Sequence, residues 1–328
     1  MKCLWAIVKA VLRPVRDAWR RWCAAKVFRY DARRFFSVSG YGRPQAREQQ
    51  LANVILHYHV IEKGLTMPNR RDVFGREALK ELLGSINQYV TCFGLDDTQV
   101  THAIGVVKTY VERNANQPGD PILDEAKDFL GNYPDVPSVE EPHLTREAFY
   151  RGCEGPFPEF ARARHTLRHY APKELTIERL RSAVELCRTT PTACNRQYCR
   201  VYCVSDKETI EKILEIQHGN RGFGHLASKL LVLVSDLEGI ASPLERDDGF
   251  TNGGLFLMNL CYALYYHKIA HCILNWSRTP EEDLAARRLI PIKPSETIVA
   301  VLTCGETPDE VEMCASPRRP LEDIFKVI

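Results

Sequence analysis

Apolar residues recur every three or four positions through most of residues 45–130, the spacing that gives an α-helix one buried face. Gly, Pro and Asn break this pattern into four predicted helices, 45–64, 75–92, 97–114 and 120–130. Residues 133–158 hold no sustained periodicity, are rich in proline and carry several acids, which predicts a linker over 133–159. Beyond it, helical and strand signals alternate. A helix over 176–189 is followed by a strand over 198–205, a helix over 207–218 and a short apolar run over 230–235 that reads as a buried strand. The stretch 250–268 lacks a polar face and so predicts a helix buried in a core or an interface. A run at 272–276, a helix over 279–288 and a strand over 298–304 follow. The succession predicts an α+β fold: a helix-flanked sheet in residues 160–328, a helical domain over 41–132, and a basic amphipathic segment over 1–40.

That first segment holds ten Lys/Arg against two acids, Asp17 and Asp31, within residues 1–34. Lys9, Arg13, Arg16 and Arg20 recur at helical spacing, and Leu4, Val8, Val11, Val15, Trp19 and Trp22 can form the opposite face. Such a helix either lies on an anionic membrane surface or packs on the domain or a partner subunit. Pro14 interrupts a straight helix. A secretory leader fits poorly, because arginines break the apolar stretch.

Composition narrows the function classes. The 328 residues are 45% hydrophobic and 26% charged with a net charge of +2, ordinary values for a soluble globular chain that demand no polyanion, so nucleic acid is not an expected partner. Twelve cysteines show neither a CxxC pair nor a Cys/His metal spacing, so reduced thiols in a cytoplasmic protein and no bound metal are expected.

Two short runs carry the candidate chemistry. Arg164-His165-Thr166-Leu167-Arg168 gathers forked cationic donors and a hydroxyl, a grouping suited to a phosphate. Pro191-Thr192-Ala193-Cys194-Asn195-Arg196-Gln197 is a turn-rich string with a hydroxyl and two carboxamides, which both donate and accept, as a ring edge with mixed N, N–H and C=O groups requires. A phosphate at one end and a polar heterocycle at the other describe flavin mononucleotide (FMN). No Gly-rich strand–turn–helix of a dinucleotide fold is present.

In order and spacing these runs resemble the nitroreductase family of FMN-dependent oxidoreductases, which opens with Arg-x-Ser-x-Arg/Lys and continues to Pro-Ser-x-x-Asn-x-Gln. Thr166 and Thr192 keep the hydroxyl of the two serines. The resemblance covers roughly residues 160–328 and implies a nitroreductase-like sheet, a homodimer with FMN at its interface, phosphate contacts from Arg164, His165, Thr166 and Arg168, and ring contacts from Pro191, Thr192, Ala193, Asn195 and Gln197. It further implies that Asn220 reaches the ring and that one of Arg318 and Arg319, with Arg319 favoured, returns to the phosphate; a surface basic pair is the alternative. The chain departs from the family at Tyr198 and Phe223, at Lys268-Ile269-Ala270-His271 in place of Gly-Leu-Gly-Ser, and at Asn275-Trp276-Ser277 near the flavin N5. His57-Tyr58-His59-Val60-Ile61-Glu62-Lys63-Gly64-Leu65, with Arg70 and Phe74-Gly75, resembles an extension on nitroreductase-like proteins of bacterial polysaccharide-biosynthesis loci. His59, Glu62 and Lys63 share a helix face and either line the flavin pocket, hold a charged substrate or form a surface salt bridge.

The resemblance implies an enzyme passing electrons from NAD(P)H to a small organic acceptor, in polysaccharide biosynthesis, without a side-chain nucleophile or a metal. Two alternatives stand beside it: a non-catalytic assembly component with or without flavin, and a flavin dehydrogenase acting on a glycan or peptide precursor.

Overall fold

The computed structural model describes residues 2–38 and 45–328, with the side chains of the first helix described from Leu12 on; Leu4, Val8, Lys9 and Val11 of the expected amphipathic pattern lie outside that set. The first helix, α1, runs Lys2–Val38. Four helices then form the N-terminal domain: α2 Arg47–Leu65, α3 Arg76–Phe93, α4 Thr98–Arg113 and α5 Pro121–Leu130. Their starts are written locally. The Asp97 carboxylate accepts from Gln99 N and the Asp120 carboxylate from Ile122 N, so each caps the free N–H groups of the helix it precedes. The apolar faces of all four close on one core built from residues such as Val54, Ile61, Leu82, Ile86, Ile104, Val107 and Leu123.

The stretch expected to link the domains is instead largely built into the second one. Strand β1, His143–Thr145, pairs antiparallel with β6, Glu310–Glu312, and α6, Arg146–Phe149, follows directly. Phe149 and Tyr150 are buried against Tyr265, whose hydroxyl donates to the Phe149 carbonyl over 2.9 Å. A strand of three residues is too short to show a period of two, and the prolines dominate its sequence signal.

After α7, Phe157–Ala163, come α8 Ile177–Leu186, β2 Cys199–Val204, α9 Lys207–Gln217, β3 Lys229–Asp236, α10 Asp248–Tyr266, β4 Ile269–Asn275, α11 Pro280–Arg287, β5 Glu296–Glu306 and the short α12 Leu321–Ile324. The four longer strands make a sheet of order β2-β3-β5-β4 with every neighbouring pair antiparallel. Every residue of β3 is buried, as its continuous apolar run requires. Helices cover both faces, and α10 packs across β3, β4 and β5. Helix α10 is buried on one side only. Asn252, Leu260, Cys261, Ala263 and Leu264 face the sheet, while Phe250, Leu255, Met258 and Tyr266 remain largely exposed.

Candidate functional site

The chain leaves α7 at Arg164 and runs irregularly to Tyr170. Backbone and side-chain bonds stitch this run to the sheet: Leu167 N donates to the His271 carbonyl of β4 over 3.1 Å, and the buried Tyr170 hydroxyl bonds Thr303 of β5. With Leu167 and Tyr170 buried, Arg168 and His169 between them are fixed in place, and Arg164 and His165 lie directly before this anchor.

Four cations gather here without a carboxylate in contact among the described residues: Arg164, Arg168, Lys63 from α2, and Arg318 from the C-terminal arm. Arg164 Nε is buried with no hydrogen-bond partner. Arg168 donates to the thiol Cys314 Sγ at 3.3 Å and also bonds a second buried thiol, Cys272. Arg318 donates to the Ser316 carbonyl of its own turn and lies close enough to depress the basicity of His165. Burial, and then the neighbouring charge of Arg168, hold Lys63 below the usual lysine range. Unpaired, partly desolvated like charges are costly, and an arriving anion relieves that cost. His165 is likewise pushed down, first by burial and then by Arg164 and Arg318, so it favours the neutral form. Buried His271 is pushed down to about 4, and its Nε2 has no partner.

The C-terminal arm is positioned from the helical domain. Glu62 on α2 is fully buried and accepts from His59 Nδ1 at 2.9 Å, His102 Nε2 at 3.2 Å and the Ser316 backbone N–H at 2.8 Å. Burial alone would raise its pKa, but these donors hold the carboxylate down at about 2. A second buried acid, Glu141, accepts from Ala315 N at 2.8 Å with one oxygen and leaves the other unpartnered. Burial and the Glu62 charge push Glu141 up to about 8. Successive N–H groups of the arm, two and three residues before Arg318, are thus held by two carboxylates. His59, Glu62 and Cys314 bring ligand atoms within 4.8 Å of one another. Arg168 on the thiol and Ser316 N–H on the carboxylate give that trio a positive setting that suits hydrogen bonding rather than a cation.

Of the closing pair, sequence favours Arg319. In the structure Arg319 is matched by Glu48 at 2.9 Å and Asp323 at 3.4 Å, so Arg318 is the available charge. Asn220, expected at a ring, spends its amide on the Leu214 carbonyl at 2.6 Å and so caps the end of α9. Lys268, where the family has glycine, holds φ at +56°, a backbone region that disfavours side chains.

The second run lies elsewhere. Thr192 Oγ1 accepts from Gln197 N at 2.9 Å, the Gln197 amide reaches Asn195 Oδ1 at 3.1 Å, and Ala193 N donates to Asn252 of α10 at 2.8 Å. Cys194, Asn195 and Gln197 all adopt positive φ, and Arg196 braces the loop through Glu245 and Asp248. Pro191, Asn195 and Gln197 are exposed. The register shows the separation. The first run meets His271, which pairs with Cys304; Tyr198, directly after the second run, meets Asp236, which pairs with Glu296. Eight residues of strand span about 26 Å. One chain therefore does not bring Arg164, Thr166 and Arg168 together with Thr192, Asn195 and Gln197.

Lys63, Glu62 and Glu141 complete the site beyond the two runs. The sequence signal for Glu62 and Lys63 is the charged face of α2, which does not say what that face meets, and Glu141 lies in the proline-rich stretch before β1, which carries no periodic signal.

The model of the Nitroreductase family matches residues 161–220, which span both runs and Asn220. Among solved structures, a nitroreductase family protein of Clostridium difficile 630 is 18% identical, with 52% of this chain and 97% of that one covered and a TM-score of 0.43. An FMN-dependent nitroreductase from Clostridium difficile R20291 is 14% identical over 51% of this chain and 92% of its own, with a TM-score of 0.40. NfrA2 of B. megaterium is 18% identical over 52% of this chain and 72% of its own, with a TM-score of 0.44. No curated protein matches the sequence.

Proposed function

We propose that this chain is an FMN-dependent oxidoreductase that works as a homodimer and passes electrons from NAD(P)H to a small organic acceptor. The observation that carries the reading is the set of four cations without carboxylate partners among the described residues; two of them, Arg164 with its buried, unbonded Nε–H and Arg168, lie on the segment that matches the Nitroreductase family. These groups suit the phosphate of FMN: Arg164, Arg168 and Arg318 offer forked donors, Lys63 a point charge and Thr166 a hydroxyl. Bound there, FMN supplies the hydride and electron chemistry. His165, kept neutral, serves as a wall of the site and not as an acid.

The ring contacts come from a second copy. The Arg164 charge acts on Cys261 and the second run bonds Asn252, toward opposite ends of α10. A two-fold axis through the exposed side of α10 brings Pro191, Thr192, Ala193, Asn195 and Gln197 of one chain to the phosphate site of the other. The exposure of the apolar Leu255 and Met258 on that side of α10 supports this reading. Replacing both by Lys is expected to give monomers by sedimentation, raising the dimer Kd at least about 100-fold, and to release flavin at the same time. A monomer that keeps its flavin would remove the shared-site arrangement.

The described cysteines are free thiols, which suits a reducing cytoplasm. The likeness of residues 57–65 to polysaccharide-locus proteins makes a glycan precursor the first acceptor to try. The deciding test is the absorption spectrum of purified protein before and after anaerobic NADPH. Oxidised-flavin bands that bleach are the expected result. Bands that persist until a glycan or peptide precursor is added would indicate a dehydrogenase. No bands after soaking with FMN would leave the assembly role, which the inward bond of the Asn220 amide favours.

A further inference from the structure

We propose that α1 is a lipid-binding element that lies flat on an anionic membrane surface and holds the rest of the protein beside it. Charge is distributed very unevenly along the chain. Residues 1–34 carry ten Lys/Arg and two Asp, a net +8, so the remaining residues carry 2 − 8 = −6. The body is repelled by anionic lipid, and the first helix is the element that lipid attracts.

The exposed groups add the second half of the argument. Leu12, Val15, Trp19 and Trp22 recur at i, i+3, i+7 and i+10, one stripe on a helix, and are 56%, 66%, 63% and 52% exposed. Arg13, Arg16 and Arg20 form the row beside it. Asp17 is neutralised locally by Arg16 and Arg20, and Asp31 is consumed by Arg246, the one ion pair that ties α1 to the body among the described residues. Among the described residues, helix α1 also meets the body at the turn 243–245 and at its C-terminal end, where Gln49 Nε2 donates to the Val38 carbonyl over 2.9 Å. An apolar stripe bearing two tryptophans along a row of arginines fits the boundary between acyl chains and anionic headgroups, where an indole buries its ring and keeps its N–H wet. A phosphate backbone alone would satisfy the arginines but not the stripe. No described helix is long and apolar enough to cross a membrane, so the mode is surface attachment.

The test is co-sedimentation of the full-length protein with vesicles of phosphatidylcholine alone and of phosphatidylcholine mixed with phosphatidylglycerol. Binding to the mixed vesicles is expected to be at least about 100-fold tighter and to weaken steeply with salt, because each basic residue adds a screened electrostatic contribution. Trp19→Ser with Trp22→Ser, and separately Arg13→Gln with Arg16→Gln and Arg20→Gln, should each lower it at least about tenfold. All five positions are on the surface, so an unchanged thermal midpoint is the check on folding. Equal binding to both vesicle types, or none, would overturn the proposal. So would loss of a dimer in the tryptophan variant without loss of vesicle binding, since the stripe would then be covered by a second copy. The result is independent of flavin content.

Discussion

Replacing Arg164 and Arg168 together by Ala is expected to strip the protein of FMN while leaving it folded. Each guanidinium on a phosphate contributes about 1.5–3 kcal/mol, so the pair is worth about 3–6 kcal/mol, or roughly a hundredfold to ten-thousandfold in Kd. Flavin absorbance per chain after gel filtration, and titration of the flavin-free protein with FMN, measure the loss. The apo protein should be as stable as the parent or slightly more so. The substitutions remove one like charge from beside Lys63, that of Arg168, and a second, that of Arg164, whose Nε is buried and unbonded. That sign separates a lost ligand contact from a lost fold. The neighbouring arginines sharpen the test: Arg318→Ala should weaken FMN at least about tenfold, whereas Arg319→Ala, already matched by Glu48 and Asp323, should change it little. Unchanged flavin stoichiometry in the double variant would sink the phosphate assignment.

Much of this architecture is legible in the sequence because its signals are local. The four helices of the N-terminal domain end within about two residues of their expected limits, since Asp97 and Asp120 cap their starts and Gly94 closes α3. The sheet strands announce themselves as apolar runs. What the sequence hides is long-range. The β1–β6 pairing joins two three-residue segments more than 160 positions apart, so residues 133–159 read as a linker. Glu62 and Ser316 are 254 positions apart, and no pattern on α2 tells whether its acid faces water or a distant N–H group. The choice between Arg318 and Arg319 turns on Glu48, 271 positions away from Arg319. The two flavin-type runs are close in sequence and share one motif grammar, yet the strand register puts them at opposite ends of the sheet. Motif spacing specifies the ligand's chemistry but not which copy supplies each half.

Glu62→Gln and Glu141→Gln, the same chemical change at two acids holding adjacent N–H groups, should shift stability in opposite directions. Glu62 has its folded pKa lowered to about 2 from 4.5. Its stabilisation is therefore complete above about 4.5 and lost as pH falls toward 2, on the order of 3 kcal/mol. The amide keeps an acceptor for Ser316 N but loses the charge facing His59 and His102, so the variant should be about 3 kcal/mol less stable at neutral pH, with a flatter acid limb. Glu141 has its folded pKa raised to about 8 from 4.5. The folded chain holds that proton more tightly than the unfolded one, so this acid stabilises below about 4.5 and the benefit disappears as pH rises through 8. An amide there still accepts from Ala315 N and removes a buried charge facing Glu62, so the variant should be on the order of 2 kcal/mol more stable above pH 8 and nearly neutral at pH 5. Denaturant midpoints across pH read both effects, and changes of the same sign at pH 8 would defeat the clamp as described. Because Glu62 holds Ser316 two residues before Arg318, its variant should also bind FMN at least about tenfold more weakly, while Glu141→Gln, which keeps its bond, should not. The helical domain would then act on the flavin site twice: directly through Lys63, and at one remove by fixing the arm that delivers Arg318.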